Sequence, residues 1–445
     1  MPSNRLSRRT FITHTATAAG AFMIVPRRVL GGPNQTPPSE RLRVAGIGAG
    51  GQAMHDLGQV SRDADIVALC DVDQEKAAKA HERWPDARQY TDWRIMLDKE
   101  QQEIDAVVVA CPDHIHAPAA KAAMQLGKHV YVEKPMAHDV AEVRTLMKLA
   151  KETGVVTQMG NQGHSFPGCY RLKQWIQQGA IGPVREVMCW TNRPGWKQGI
   201  DRPTDTPPVP PTLDWDLWLG PAPYRPYNPI YCPRSWRGWW DFGTCALGDM
   251  GCHILDPVFF SLKLGAPTRV TAEAEGATAE TGPLKSRITY EFPERGDGYP
   301  ACKIVWHDGG NIFERPAELE EGKPMGDNDG GSVFIGEKGK IISGTYSNGA
   351  RIIPKEKMDA WDAEHGKAED YESRGHHHNW VMACKGEGQA VSHFDYAGPL
   401  TELVHLGNIA IRAGQPIEWD AANMKITNFP EADQYLQREY RDGWR

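Results

Sequence analysis

Leu42-Arg43-Val44-Ala45-Gly46-Ile47-Gly48-Ala49-Gly50-Gly51 is a short apolar run that dissolves into glycines. Residues 42–47 read as a strand and residues 52–61 as a helix, so the G-x-G-x-x-G pattern over 46–51 falls on a strand-to-helix turn. In such a turn the first glycine permits the bend and the second lets backbone approach a pyrophosphate. The third lets the helix pack on the strand, and the helix N-terminus faces the phosphates. Asp71 follows Gly51 by 20 residues and closes the next apolar run, Ile66 to Cys70. A carboxylate there holds ribose hydroxyls and repels a 2′-phosphate, which points to NAD(H) rather than NADP(H). The expected cofactor contacts begin with Gly46, Gly48, Gly50, Gly51 and Asp71.

The alternation continues outward from this turn. Glu75 to Arg83 reads as helix, Ile104 to Ala110 as strand, and Ala117 to Leu126 as helix stopped by Gly127. His129 to Val132 and Val155 to Met159 are further strands flanking a helix over Val140 to Thr153. Strands and helices at this spacing imply βαβ units and a parallel sheet. Beyond about residue 180 the pattern changes to strands joined by glycine-containing turns: 184–190, 269–275, 285–292, 302–306, 332–336 and 340–344. Helix returns over 376–388 and 395–413. The expected fold is α/β: a Rossmann doubly wound parallel sheet over 41–165, then an α+β domain over 166–445 with a large, mostly antiparallel sheet. The C-terminal helices are expected to return to the first domain. Residues 31–40 form a Pro/Gly/polar linker.

With 445 residues, two domains are the natural reading. The formal net charge of -7, without a basic stripe, argues against nucleic acid as a partner. Ser7-Arg8-Arg9-Thr10-Phe11-Ile12 precedes an apolar stretch too short for a membrane span. Residues 1–30 resemble a twin-arginine (Tat) export signal, which implies a periplasmic or otherwise exported protein. Removing residues 1–28 takes away five arginines and no acids, so -7 becomes -12. None of the nine cysteines forms a C-x-x-C pair, which argues against zinc ribbons and thioredoxin-like chemistry. A homo-oligomer, dimer or tetramer, is expected.

Glu133-Lys134-Pro135 ends the His129 strand, on the side of a doubly wound sheet where ligands bind. Gly248-Asp249-Met250-Gly251-Cys252-His253-Ile254-Leu255-Asp256 places Asp249 and His253 four apart, on one face if the segment is helical. A carboxylate beside an imidazole fixes its tautomer and raises its basicity, and alcohol oxidation needs a base for the hydroxyl proton. Pro257 makes the helix kink or start late.

Together with Ala110-Cys111-Pro112-Asp113-His114-Ile115-His116 and Gly127 to Pro135, these motifs occur in the order seen in the Gfo/Idh/MocA oxidoreductases, which this chain resembles from residue 41 onward. The resemblance implies a Rossmann domain followed by an open-sheet α/β domain. It implies Lys134, Asp249 and His253 as the catalytic group, with His253 as acid/base. It places nicotinamide near Pro112, His116, Glu133 and Lys134, with Asn161 and Gln162 close to the pocket.

Seven tryptophans (190, 196, 215, 218, 236, 239 and 240) crowd into 51 residues, with Arg193, Lys197, Arg234, Arg237 and Asp241 among them. Indoles stack on the C–H faces of sugars while charged groups hold hydroxyls. At least half of these tryptophans are expected only to pack the segment against its sheet. Candidate substrate contacts are Arg193, Trp196, Arg237, Trp239, Trp240 and Asp256, and Trp306 to Gly310 could add to the pocket. His376-His377-His378 reads as a helix start with one inward histidine, and no metal is expected. The favoured reading is hydride transfer between NAD(H) and a hydroxyl of a sugar, glycoside or polyol. An NAD-dependent glycosidase or lyase with internal cofactor recycling, and a non-enzymatic sugar-binding protein, are the alternatives.

Overall fold

Strand β1 (Leu42–Ile47) sits at the centre of a sheet whose side chains divide between two cores. Val44 faces one core with Ala106 and Val108, while Ala45 and Ile47 face the other with Val107 and Val109. Period-2 alternation with both faces apolar is what a sheet covered by helices on each side requires. In the computed structural model, residues 41–296, 298–368, 371 and 373–444 are described. The Tat-like segment and the linker lie outside the described residues.

The chain proceeds through α1 (Gln52–Val60), β2 (Ala64–Cys70), α2 (Gln74–Arg83), β3 (Arg88–Tyr90), α3 (Trp93–Glu100), β4 (Ala106–Val109), α4 (Asp113–Gln125), β5 (His129–Glu133), α5 (Val140–Thr153) and β6 (Thr157–Gly160). The six strands pair in parallel in the order β3-β2-β1-β4-β5-β6. The β3–α3 pair has no counterpart in the sequence reading. Arg88-Gln89-Tyr90 is polar and short, and only its edge position makes it a strand. Helix α4 also begins four residues earlier than expected, with Pro118 inside it. Proline has no N–H to offer the His114 carbonyl, and Arg438 Nη2 donates to that oxygen instead, at 2.6 Å.

The second sheet follows helix α6 (Pro167–Gln177). It contains β7 (Val184–Thr191) and, after helices α7 (Trp215–Leu219), α8 (Cys245–Ile254) and α9 (Asp256–Ser261), the strands β8 (Arg269–Glu275), β9 (Lys285–Phe292), β10 (Cys302–His307), β11 (Gly330–Gly336), β12 (Lys340–Gly344) and β13 (Arg351–Ile353). Helices α10 (Lys355–His365), α11 (His376–Cys384) and α12 (Phe394–Ala413) precede β14 (Ile417–Asp420) and β15 (Lys425–Ile426). The nine strands run β13-β12-β11-β7-β10-β9-β8-β14-β15, antiparallel throughout except where β7 meets β10. Strand β9 shows why one face is open. Ser286, Ile288, Tyr290 and Phe292 are buried, while Lys285, Arg287 and Glu291 are exposed.

Leu42 to Arg445 forms one compact unit. Helix α11 lays Trp380 and Val381 into the core that holds Val44 and Leu57. Its three histidines are all engaged, where one inward side chain was expected. His376 bonds Met159 O and Ser165 Oγ, His377 bonds Asp56 Oδ1 at 2.9 Å, and His378 bonds Asp63 Oδ2 at 2.8 Å. Among the described residues no helix is long and apolar enough to cross a membrane.

Candidate active site

The carboxyl ends of β1, β2, β4 and β5 open into a cleft of about 790 Å³, closed on its far side by residues of the 193–253 region and by Tyr346. At one end of the cleft lie Gly48, Gly50, Gly51 and Asp71. Gly48 has φ 90°, and a Cβ placed there would sit 2.5 Å from the Ala110 carbonyl oxygen. Gly51, at φ 51°, has open space around it and heads α1 without a side-chain cap. The first turn of α1 is thus left to an outside acceptor, as a bound pyrophosphate would be. Gly46 does not line the cleft; its missing side chain makes room for Leu57, so this first glycine permits the helix-on-strand packing expected of the third. Asp71 Oδ2 accepts from Ala49 N at 2.8 Å and Oδ1 from Asp73 N at 2.9 Å. Burial pushes its pKa above the ordinary carboxylate value, opposed by those backbone donors. This set fits a dinucleotide with free ribose hydroxyls.

The other end is built around Asp249. Lys134, the residue after β5, reaches across to α8. Its Nζ donates to Asp249 Oδ1 and to the Asp249 carbonyl, both at 2.9 Å. Arg237 Nε donates to the same Oδ1 at 3.2 Å, and Arg193 Nε lies 3.9 Å from Oδ2. Burial would raise the Asp249 pKa, but Lys134 and Arg237 hold it well below the carboxylate range. Burial alone would lower that of Lys134, yet the charges of Asp249 and Glu133 leave it raised. His253 lies one turn along the same unbroken helix, because Pro257 opens α9 rather than kinking α8. Burial, then the Lys134 charge, pushes its pKa down to about 3. Its Nδ1 has no hydrogen-bond partner among the described residues, and Tyr346 packs edge-on at 4.8 Å. The expected carboxylate–imidazole hydrogen bond is therefore replaced. Asp249 spends its oxygens on Lys134 and Arg237, and His253 is a neutral imidazole in a cationic neighbourhood.

Pro112, His116 and Glu133 line the cleft as anticipated. His116 bridges the Cys111 and Pro135 carbonyls. Glu133 accepts from Gln162 at 2.6 Å, and burial, then the Asp56 charge, pushes its pKa to about 8. Asn161 does not line the cleft; it is buried, with Oδ1 taken by Ser392 Oγ. Of the proposed substrate contacts, Arg193, Trp196 and Arg237 line the cleft and three do not. Trp239 is buried in the aromatic cluster with Tyr231 and Phe242. Trp240 donates its indole N–H to Thr278 O. Asp256 caps a buried network, accepting from His164 Nδ1 at 2.9 Å and from the Tyr396 hydroxyl. Trp190 and Trp215 are also packed away, so four of the seven tryptophans miss the cleft while Trp196, Trp218 and Trp236 line it. Trp306 to Gly310 is absent from the lining as well. Asp308 instead ties the Trp306 indole to Ser286. Tyr346 was not anticipated, since no motif marks the turn after β12. A ring nitrogen of His164, Cys169 Sγ and an Asp256 oxygen lie within 4.8 Å of one another, a grouping of metal-ligand types outside the cleft.

A glycine turn suited to a dinucleotide thus lies in one cleft with a lysine, a histidine and a carboxylate. Residues 41–161 match the NAD-binding Rossmann fold of the Gfo/Idh/MocA oxidoreductases, and residues 170–367 match that family's C-terminal alpha/beta domain. The chain belongs to this family. Over 189 residues (42% of this chain, 40% of the relative) it is 31% identical to levoglucosan dehydrogenase of Pseudarthrobacter phenanthrenivorans. Over 142 residues (31% of this chain, 42% of the relative) it is 26% identical to inositol 2-dehydrogenase of Salmonella typhimurium. The matches thus span about two fifths of the length of these curated relatives. The WlbA dehydrogenase from Bordetella pertussis, solved with NADH and UDP-GlcNAcA, shares the fold: TM-score 0.60 and 18% identity, over 85% of this chain and 99% of that one.

Proposed function

We propose that this protein transfers hydride between NAD(H) and a hydroxyl-bearing carbon of a sugar or polyol. The observation that carries the reading is the meeting of Lys134 and Asp249 at 2.9 Å, with His253 one turn away in the same cleft as the glycine turn. Sugar and polyol dehydrogenases among the relatives support the substrate class. Bound NAD supplies a two-electron hydride acceptor; the protein must handle the proton and the charge. His253, neutral around pH 7, takes the hydroxyl proton. The Lys134 ammonium donates to the same oxygen and stabilises the negative charge that builds on it. Asp249 positions that ammonium by holding it through both a carboxylate and a carbonyl oxygen. His253→Ala should lose turnover by roughly 10²–10⁴ while NAD titrates as before. Turnover near that of the unaltered protein would remove His253 from the mechanism.

Export is part of the same reading and rests on Arg8-Arg9 before an apolar stretch. Replacing both arginines by lysine should retain the protein in the cytoplasm, and undiminished periplasmic recovery on fractionation would reject it.

A further inference from the structure

We infer that the substrate carries a negative charge, as a uronic or aldonic acid or an acidic ester of a sugar, and that Arg234 and Arg237 receive it. The inference rests on the hydride-transfer reading above and narrows its substrate class. Four cations line the catalytic end of the cleft: Lys134, Arg193, Arg234 and Arg237. The carboxylates they meet are Asp249, shared by three of them, and Asp329, 3.0 Å from Arg193 Nη1. Burial pushes the pKa of Glu133 up to about 8, and burial also raises that of Asp113, whose Oδ2 accepts from Thr244. Four cations thus have two ion-paired carboxylates among them, in a chain whose formal net charge is -7.

Arg234 makes no ion pair with a described residue; its Nη2 and the Arg193 Cδ both lie within 4 Å of where a Gly195 Cβ would stand. Arg237 gives only Nε to Asp249, and its plane lies 4.3 Å over the Trp236 ring. Stacking fixes the guanidinium plane; Nη1 donates to the Arg234 carbonyl at 3.5 Å, and Nη2 has no hydrogen bond with a described residue. Arg234 is exposed and has no ion pair with a described residue, Arg237 beside it is half-buried, and a planar guanidinium fork suits carboxylate, phosphate or sulfate oxygens. The dinucleotide phosphates are not that anion, because their seat lies at Gly48 to Gly51, at the other end of the cleft.

The test is calorimetric titration of NAD-loaded protein with D-glucuronate, D-gluconate, D-glucose 6-phosphate and D-glucose 6-sulfate, each against glucose and methyl glucuronate. At least one anion should bind about 10-fold tighter than its uncharged counterpart, and the advantage should shrink as salt rises. Which anion wins separates carboxylate from phosphate and sulfate. Arg234→Gln and Arg237→Gln should each cut that preference severalfold without moving NAD affinity. Equal binding of charged and neutral sugars, no binding of any of the four anions, or a preference untouched by both variants would overturn the inference. NADH formed equally from neutral and acidic sugars would overturn it and leave the hydride-transfer reading standing. Selective anion binding with no NADH formed from any sugar would support it and count against that reading.

Discussion

The two ends of the cleft recognise their ligands by opposite means. The cofactor end works through backbone: glycines that leave room, an uncapped helix start, and Asp71 clamped between two backbone N–H groups. The catalytic end works through long side chains brought from distant segments, with Lys134 meeting a partner 115 residues away. Backbone sites need particular residues at fixed spacings, so they are written locally in the sequence. Side-chain sites need only that separate elements end near one another, which is a property of the tertiary fold. The side chains divide the same way, with Asp71 held at the glycine turn and Lys134, Arg193 and Arg237 gathered on Asp249.

The largest effect should come from breaking the backbone end. Gly48→Ala puts a methyl 2.5 Å from a carbonyl oxygen at φ 90°, and neither the strand end nor the turn can yield cheaply. NAD affinity should fall by about 100-fold or more, against roughly tenfold for Gly51→Ala, which meets no atom and bears only the φ cost. Comparable NAD titrations for the two variants would show that the turn tolerates displacement and that the steric argument is wrong. A smaller effect sharpens the cofactor assignment. Asp71→Ala should weaken NAD by about 10-fold and NADP by less, because only the 2′-hydroxyl form uses that carboxylate. NADP bound by the unaltered protein as tightly as NAD would sink it.

The same contrast explains what could be read in advance. The glycine turn, Asp71, the strand carrying Lys134 and the α8 helical turn carrying Asp249 and His253 were all legible, because hydrophobic period and short motifs define them. The wiring between them was not. Nothing in the spacing says that Asp249 prefers Lys134 and Arg237 to its own neighbour His253. That choice depends on how deeply two cations from other segments approach it. The tryptophan-rich segment misled for a related reason. Aromatic crowding predicts a pocket and a core equally well: Trp236 and Trp239 share one buried cluster, and of the two only Trp236 also reaches the cleft. Tyr346 had no local signal, since its role comes from the turn after β12 reaching His253.

The least effect expected, and the finest probe of the junction between the two ends, is the pH dependence of stability around Glu133. Burial, then the Asp56 charge, raises its pKa to about 8 in the folded protein, and burial raises that of Asp56 to about 7. Unfolded, both sit near 4, so the folded state holds protons that the unfolded chain has released. Stability from these groups is therefore fully present below about pH 4 and is lost as pH rises to about 8. His253, His376 and His377 act in the other direction. Their folded pKa values are lowered to about 3 by burial, so their contribution is gained between about pH 3 and 6.5 and is flat above that. A decline above pH 6.5 then comes from buried carboxyls, Asp139 among them, whose pKa burial raises to about 7, so the Glu133 share is read by removing that one group. Glu133→Gln keeps an oxygen for the Gln162 amide and removes one titrating group, at the cost of an amide N–H facing the Lys134 backbone N–H. That cost lowers the melting temperature at every pH, whereas the drop from pH 6.5 to 9 should become about 2–4 °C smaller than in the unaltered protein. Parallel melting curves across that window would mean that Glu133 is already ionised when folded. The cleft would then carry one more negative charge between its two ends than the geometry around Lys134 implies.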